Sequence, residues 1–105
     1  MVSILSNSEI EANLSNCEGW SLVNEERKYI NKSFKFSNFS EAIAFMIQSA
    51  FVAEKIDHHP EWSNVYNKVD IVLTTHDIGG LSDKDMILAQ EMNCIAKNLN
   101  ASSPK

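Results

Sequence analysis

The chain has 105 residues, of which 44% are hydrophobic and 22% charged, and 9 basic against 14 acidic residues give a formal net charge of −5. This length suits one domain with its own core, and the composition is that of an ordinary globular protein rather than a disordered or collagenous chain. The acidic balance, without a dense run of Lys or Arg, argues against direct binding of DNA or RNA. We expect a single domain over residues 1–105, with residues 100–105 as a frayed polar tail.

The cysteines and the N-terminal segment bear on where the protein works. Cys17 and Cys94 are far apart, which is neither a metal-ligand spacing nor a disulfide framework, so we expect both to be reduced and partly buried. Residues 1–7 lack the basic and long apolar regions of a secretory signal, and no apolar stretch is long enough to span a bilayer. These features predict a soluble cytoplasmic protein without a membrane partner, and a nuclear location stays open.

Helix and strand signals alternate along the first half of the chain. Ser6 and Glu9 fit a capping box for a short helix over about residues 7–15. Residues 20–23 have the composition of a short strand, and residues 30–36 alternate apolar and polar side chains as a half-buried strand does. The two strands are predicted to pair as an antiparallel hairpin, with a polar turn that includes Arg27 after the first strand.

The second half repeats this pattern of elements. Asn38 can cap a long helix that reaches Asp57, and a second hairpin is predicted from residues 64–66 and 69–75 with a tight turn at Asn67 and Lys68. Ser82 and Asp85, three residues apart, are predicted to cap a last helix. The order α-β-β-α-β-β-α predicts an α+β fold, a four-stranded antiparallel sheet with three helices packed on one face. Apolar positions expected in the core include Phe34, Phe36, Phe39, Ala42, Phe45, Ala50 and Ala53.

Residues 54–62, with the sequence Glu-Lys-Ile-Asp-His-His-Pro-Glu-Trp, hold the densest group of ionisable side chains. His58 and His59 stand where Pro60 stops the helical pattern, and the third histidine, His76, ends a predicted strand. Imidazole exchanges protons near neutral pH. If the second hairpin folds back beside the long helix, the three rings converge on one cleft, which suits general acid–base catalysis.

Spacing alone leaves other interpretations open. A histidine at a helix end is commonly a hydrogen-bonded cap. Trp62 and Tyr66 fit either core packing or an aromatic wall for a flat heterocycle. A metal site is disfavoured because adjacent histidines seldom bind one ion and no helical His-x-x-x-His pair occurs. Its candidate ligands would be Glu54, Asp57, His58, His59 and His76.

Residues 53–62, 64–69, 75–77 and 80–82 closely resemble the pterin-4a-carbinolamine dehydratase family, also known as the dimerisation cofactor of a hepatocyte homeodomain transcription factor. The likeness consists of features that follow one another along the chain: an acidic residue, a His-His-Pro sequence, an aromatic residue a short distance later, a third histidine and Asp85. It extends over nearly the whole chain. It implies dehydration of 4a-hydroxytetrahydrobiopterin to the quinonoid dihydropterin, which recycles tetrahydrobiopterin for aromatic amino acid hydroxylases. No metal or organic cofactor is implied.

The resemblance also implies roles for single residues. His58 and His76 would form the acid–base pair, and His59 would chiefly bind substrate, so that all three belong to the catalytic set. Family members form dimers and tetramers, and some bind the dimerisation helix of a transcription factor. A homodimer or homotetramer is therefore expected, and a non-enzymatic dimerisation cofactor or coactivator is the alternative function. The implied substrate-binding residues are Asp57, His58, His59, Thr74, Thr75, His76 and Asp77, with Glu54, Pro60 and Trp62 in support.

Overall fold

A computed structural model describes residues 3–99 of the chain, so the predicted tail lies outside the described residues. The order of elements is α-β-β-α-β-β-α, as predicted. The elements are α1 (Asn7–Leu14), β1 (Ser21–Val23), β2 (Tyr29–Lys35), α2 (Phe39–Ile56), β3 (Glu61–Val65), β4 (Lys68–Leu73), a 3-10 turn (His76–Ile78) and α3 (Asp83–Asn98).

The four strands form one antiparallel sheet in the order β1-β2-β4-β3. The two longest strands, β2 and β4, are central and pair from Ile30 opposite Leu73 to Lys35 opposite Lys68. Because side chains alternate along a strand, one face of the sheet is apolar and lies against the helices. The other face carries polar side chains such as Asn31, Ser33 and Asp70. The predicted α+β fold is confirmed.

The core is centred on three phenylalanine rings. Phe45 of α2 lies 4.8 Å from Phe34 and 5.0 Å from Phe36, measured between ring centroids. The prediction that Phe39 belongs to this core is wrong, because its side chain is 49% exposed. Ala50 is exposed as well. The stripe of α2 that faces the sheet consists of Ala42, Phe45, Ser49 and Ala53.

The second hairpin differs from its prediction in two respects. Strand β3 begins at Glu61 instead of residue 64, and the turn is Tyr66–Asn67, since Val65 already pairs with Lys68. Asn67 is held by the neighbouring segment: its carbonyl accepts from the Phe36 amide at 2.8 Å and its side-chain amide donates to the Phe36 carbonyl at 2.9 Å. Tyr66 therefore takes the left-handed conformation, with φ 51°.

Two further expectations are tested by the fold. Cys17 is buried, whereas Cys94 is exposed, so the expected burial of Cys94 is wrong. Within residues 3–99, none of the helices combines the length and the apolar character needed to cross a membrane.

Candidate active site

The helix that carries the His-His pair ends in a way that turns the first ring inward. Asp57 adopts the left-handed conformation (φ 54°, ψ 51°) directly after the last helical residue. The Asp57 amide donates to the Glu54 carbonyl at 3.2 Å, and the His58 amide donates to the Ala53 carbonyl at 3.0 Å. These two bonds form a Schellman motif, which ends a helix and folds the next residue back against its last turn. His58 is consequently buried, with 8% of its surface exposed.

His58 is paired there with a fully buried carboxylate. Its Nε2 lies 2.5 Å from Oδ1 of Asp85, in the first turn of α3, and Asp85 has no exposed surface. The other carboxylate oxygen accepts from the Thr75 hydroxyl at 2.7 Å and from the Ser82 amide at 2.9 Å. A buried charge is tolerated only when it is paired and hydrogen-bonded, and all of these partners serve that purpose. Asp85 thus fixes the orientation of the His58 ring.

From the sequence, Asp85 was expected to cap the last helix and belonged to the order of residues that carries the family resemblance, but it was not among the predicted site residues. A signal for its role was present in the sequence. Asp85 stands in line with Leu88, Met92 and Ala96 at helical spacing, on the stripe of α3 that is buried. A carboxylate on a buried stripe needs a cationic or hydrogen-bonding partner.

His59 points the other way and lies at the surface. Its Nε2 is 2.6 Å from Oε1 of Glu54 in the last turn of α2, and the side chains are 58% and 77% exposed. Glu54, predicted as a supporting residue, is thus in contact with the His59 ring. The adjacent histidines are divided into one buried and one exposed ring.

His76 begins the 3-10 turn after β4 and is also exposed. Its Nε2 lies 2.6 Å from Oε2 of Glu61, the first residue of β3. Arg27, from the turn between β1 and β2, places Nη1 3.2 Å from the same carboxylate oxygen and 3.3 Å from Nδ1 of His76. Neither Arg27 nor Glu61 was among the site residues predicted from the sequence.

The three histidines lie at one end of the sheet. Strand β3 begins where β4 ends, since Glu61 is opposite Val72, and segments 58–61 and 74–76 are joined by the contacts of His76 and Asp85 described above. These contacts place the segment that carries His76 next to the segment that begins with His58. The site thus has one buried imidazole, that of His58, and two exposed imidazoles, those of His59 and His76. Each of the three imidazoles contacts a carboxylate.

The other predicted site residues have different surroundings. The hydroxyl of Thr74 donates to the Lys28 carbonyl at 2.9 Å, and the hydroxyl of Thr75 is committed to Asp85, so both are buried in the fold. Asp57 and Asp77 are exposed, and Pro60 is half-buried. Trp62 is half-buried and packs against the core, and it also contributes to the lining of a cleft on the polar face of the sheet.

A cleft of about 580 Å³ lies on the polar face of the sheet and reaches this site at Glu61. Its lining includes Lys32, Ser33 and Asp70 but none of the histidines. Burial lowers the pKa of Lys32, whose ammonium donates to the Glu18 carbonyl and to Oδ1 of Asn93. Across residues 3–99, His, Cys, Asp and Glu side chains do not gather in any group of three that could hold a metal ion.

The arrangement can move protons. Asp85 occupies Nε2 of His58 and leaves Nδ1 as the nitrogen that can exchange a proton with a ligand. His76 and His59, at the rim, are accessible to a bound molecule. One ring can donate a proton while another accepts one, which is the requirement for general acid–base catalysis.

Comparison with known proteins gives a consistent family. Residues 3–95 match the sequence profile of the family described as Pterin 4 alpha carbinolamine dehydratase. A Rhizobium johnstonii protein assigned as a pterin-4-alpha-carbinolamine dehydratase is 51% identical over 88 residues, which cover 84% of this chain and 86% of the relative. A Rhodopseudomonas palustris protein with the same assignment is 48% identical over 100 residues, or 95% of this chain and 98% of the relative.

Solved structures agree with the sequence relatives. The crystal structure of a transcriptional coactivator/pterin dehydratase from Brucella melitensis has a TM-score of 0.85 and 46% identity, covering 90% of this chain and 99% of that one. A pterin dehydratase-like protein described as a RuBisCO assembly factor of the alpha-carboxysome shares the fold at 20% identity and a TM-score of 0.64, covering 77% of this chain and 93% of that one. By sequence and by fold, the chain belongs to the pterin 4 alpha carbinolamine dehydratase family and is an enzyme of the dehydratase type.

Proposed function

We propose that this chain removes water from 4a-hydroxytetrahydrobiopterin by histidine acid–base catalysis and so returns the pterin for reduction to tetrahydrobiopterin. The observation that carries the proposal is the buried pair of His58 and Asp85, with two further histidines at the same end of the sheet. Family membership supports the choice of a pterin as substrate.

The reaction needs two proton transfers and no change of oxidation state. The bond between C4a and the hydroxyl oxygen breaks, and an acid supplies the proton that lets the oxygen leave as water. A base takes the proton from N5, and the electron pair left on nitrogen forms the C4a–N5 double bond of the quinonoid product. Acid and base must lie within hydrogen-bond reach of these two atoms.

His58 is suited to supply the acid. With Nε2 held by the Asp85 carboxylate, the ring keeps one orientation and presents Nδ1 as the nitrogen that would give a proton to the substrate. His76 is its partner in the acid–base pair. His59, exposed and oriented by Glu54, chiefly binds the pterin.

Residues 57 and 74–77 complete the proposed binding region. Asp57 and Asp77 offer exposed carboxylates to a polar heterocycle. Thr74 and Thr75 use their hydroxyls within the fold, so they would contribute by holding segment 74–77 in position.

Helix α2 supports an oligomer and a second candidate function. Ile47 and Phe51 are 53% and 72% exposed, on the side of the helix away from its buried stripe. Exposed apolar side chains that share one helix favour contact with another chain. We propose a homodimer or homotetramer in the cytoplasm. The alternative function is a coactivator module that binds a transcription-factor helix, and the related Brucella melitensis protein is described as a transcriptional coactivator/pterin dehydratase.

Dehydration rates of histidine variants test the enzymatic proposal. We expect His58→Ala and His76→Ala each to lower kcat by about a hundredfold or more, the usual size of an acid–base contribution, and His59→Ala mainly to raise KM. Circular dichroism would verify that the variants fold, and the wild-type rate should be unaffected by a chelator. Full activity of both kcat variants would contradict the mechanism, and a protein with no dehydration activity would favour the coactivator function.

A further inference from the structure

Arg27, His76 and Glu61 form a three-membered cluster at the rim of the site. Nη1 of Arg27 contacts both other residues, at 3.3 Å from Nδ1 of His76 and 3.2 Å from Oε2 of Glu61, and Nε2 of His76 lies 2.6 Å from that same oxygen. The guanidinium carbon is 5.9 Å from the centroid of the Tyr29 ring, within the range of a cation–π contact. Arg27 is thus held by two neighbours while it contacts the imidazole.

The chemistry of these groups fixes where the proton of His76 resides. A guanidinium only donates and does not lose its protons in proteins, so Nδ1 of His76 must be the acceptor and carry no hydrogen. An ionised carboxylate only accepts, so Nε2 must carry the hydrogen that Glu61 accepts. A doubly protonated ring would turn an N–H toward the N–H of Arg27. The cluster is satisfied only by a neutral ring with its proton on Nε2.

We propose that Arg27 is a positioning residue that keeps His76 neutral, with the free electron pair on Nδ1. A neutral ring can act as the base that takes a proton, so Arg27 would reserve His76 for that half of the reaction. The charged groups next to the ring are Arg27 and Glu61, and Asp77 is its neighbour in the 3-10 turn. This catalytic consequence rests on the proposed function, whereas the protonation state of the ring does not.

Charge reversal gives the sharpest test. In Arg27→Glu, a carboxylate replaces the donor that faces Nδ1, so His76 lies between two acceptors and should hold protons on both nitrogens. In Arg27→Lys, a cationic donor is retained and the neutral ring should persist. Lys28→Glu makes the same change of charge one residue further along, where the side chain contacts Asn7, and serves as the control.

The direct readout is the ¹⁵N spectrum of the imidazole nitrogens in labelled protein. The chain has only three histidines, so His76→Gln assigns the His76 signals by their loss. In one neutral buffer we expect an unprotonated Nδ1 in the wild type, Arg27→Lys and Lys28→Glu, and two protonated nitrogens in Arg27→Glu. In the dehydration assay, Arg27→Glu should lose at least about tenfold in kcat with little change in KM.

The outcomes separate the two proposals. A His76 spectrum that is the same in Arg27→Glu and the wild type would overturn the role of Arg27, whatever the activity. If Arg27→Glu does not fold, Arg27→Met removes the donor without adding charge, and an unmoved Nδ1 signal in that variant would overturn the role equally. A shifted spectrum in a protein that does not dehydrate pterins would support the role of Arg27 and reject the proposed function.

Discussion

Replacing Asp85 by asparagine changes one atom of the buried pair and tests the chemistry of His58 separately from the fold. Asparagine has the shape of aspartate, and its carbonyl oxygen can still accept from the Thr75 hydroxyl and the Ser82 amide. Its NH₂ group would face Nε2 of His58 in place of an acceptor. The ring must then accept at Nε2 and carry its proton on Nδ1, the opposite of the wild-type arrangement.

The structure predicts different effects on stability and on catalysis. In Asp85→Asn all three hydrogen bonds can be re-formed, so we expect the free energy of unfolding to fall by only about 1 kcal/mol. In Asp85→Ala the Ser82 amide and the Thr75 hydroxyl lose a buried acceptor, and we expect a loss of about 3–5 kcal/mol. Because Asp85→Asn reverses the hydrogen bond at Nε2 of His58 and so moves the proton of the ring to Nδ1, kcat should fall by about a hundredfold or more.

Urea denaturation, the dehydration assay and the ¹⁵N spectrum of His58 measure these effects in the same samples. The control is Asp83→Asn, the same substitution at an exposed position in the first turn of the same helix, which should keep wild-type kcat. A folded Asp85→Asn variant with kcat within about twofold of the wild type, and with the His58 proton still on Nε2, would refute the assignment of Asp85.

Three further expectations concern the thiols and the second turn. Under native conditions a thiol reagent should modify Cys94 rapidly and Cys17 only after unfolding, because Cys94 is exposed and Cys17 is buried. Burial raises the pKa of the Cys17 thiol in the folded protein. The stability that this thiol contributes is therefore complete below the ordinary thiol pKa of about 8.5, and it is lost as the pH rises through the higher folded-state pKa. Denaturation midpoints should accordingly decrease less at alkaline pH in Cys17→Ala than in the wild type. Tyr66→Asn should raise the free energy of unfolding by about 0.5–1 kcal/mol in urea denaturation, because asparagine tolerates φ 51° better and the Tyr66 side chain is 62% exposed. A decrease in the free energy of unfolding would show that contacts of the tyrosine ring stabilise the fold by more than the left-handed backbone conformation destabilises it.

Local signals were sufficient for the order of elements. The helix starts depend on side chains that bond to amides three residues away, as in the contacts of Ser6 with Glu9 and of Asn38 with Glu41, and such contacts are visible in sequence. The hairpin register was less accessible. It depends on Asn67 bonding to Phe36, 31 residues earlier, and that contact outweighs the poor fit of Tyr66 to a left-handed turn.

The candidate site could be located from sequence but not assembled from it. The three histidines and Glu54 were identified because they are rare or lie close together along the chain. Asp85 lies 27 residues from His58, and Arg27 lies 49 residues from His76. The spacing of residues within one helix or strand therefore could not predict these contacts. Each partner was instead read in its local role, Asp85 as part of a helix start and Arg27 as part of a polar turn.

These two distant partners give the histidines different hydrogen-bond neighbours. His58 is buried with Nε2 against the Asp85 carboxylate, whereas His76 is at the rim with Nε2 against the Glu61 carboxylate and Nδ1 beside the Arg27 guanidinium. Under the proposed function, this difference at Nδ1 is what would separate the acid role of His58 from the base role of His76. Asp85 also accepts from the Ser82 amide at the start of α3, so the contact that begins the last helix sets the charge environment of His58 as well. A substitution that moves the start of α3 should alter turnover even when every histidine is retained.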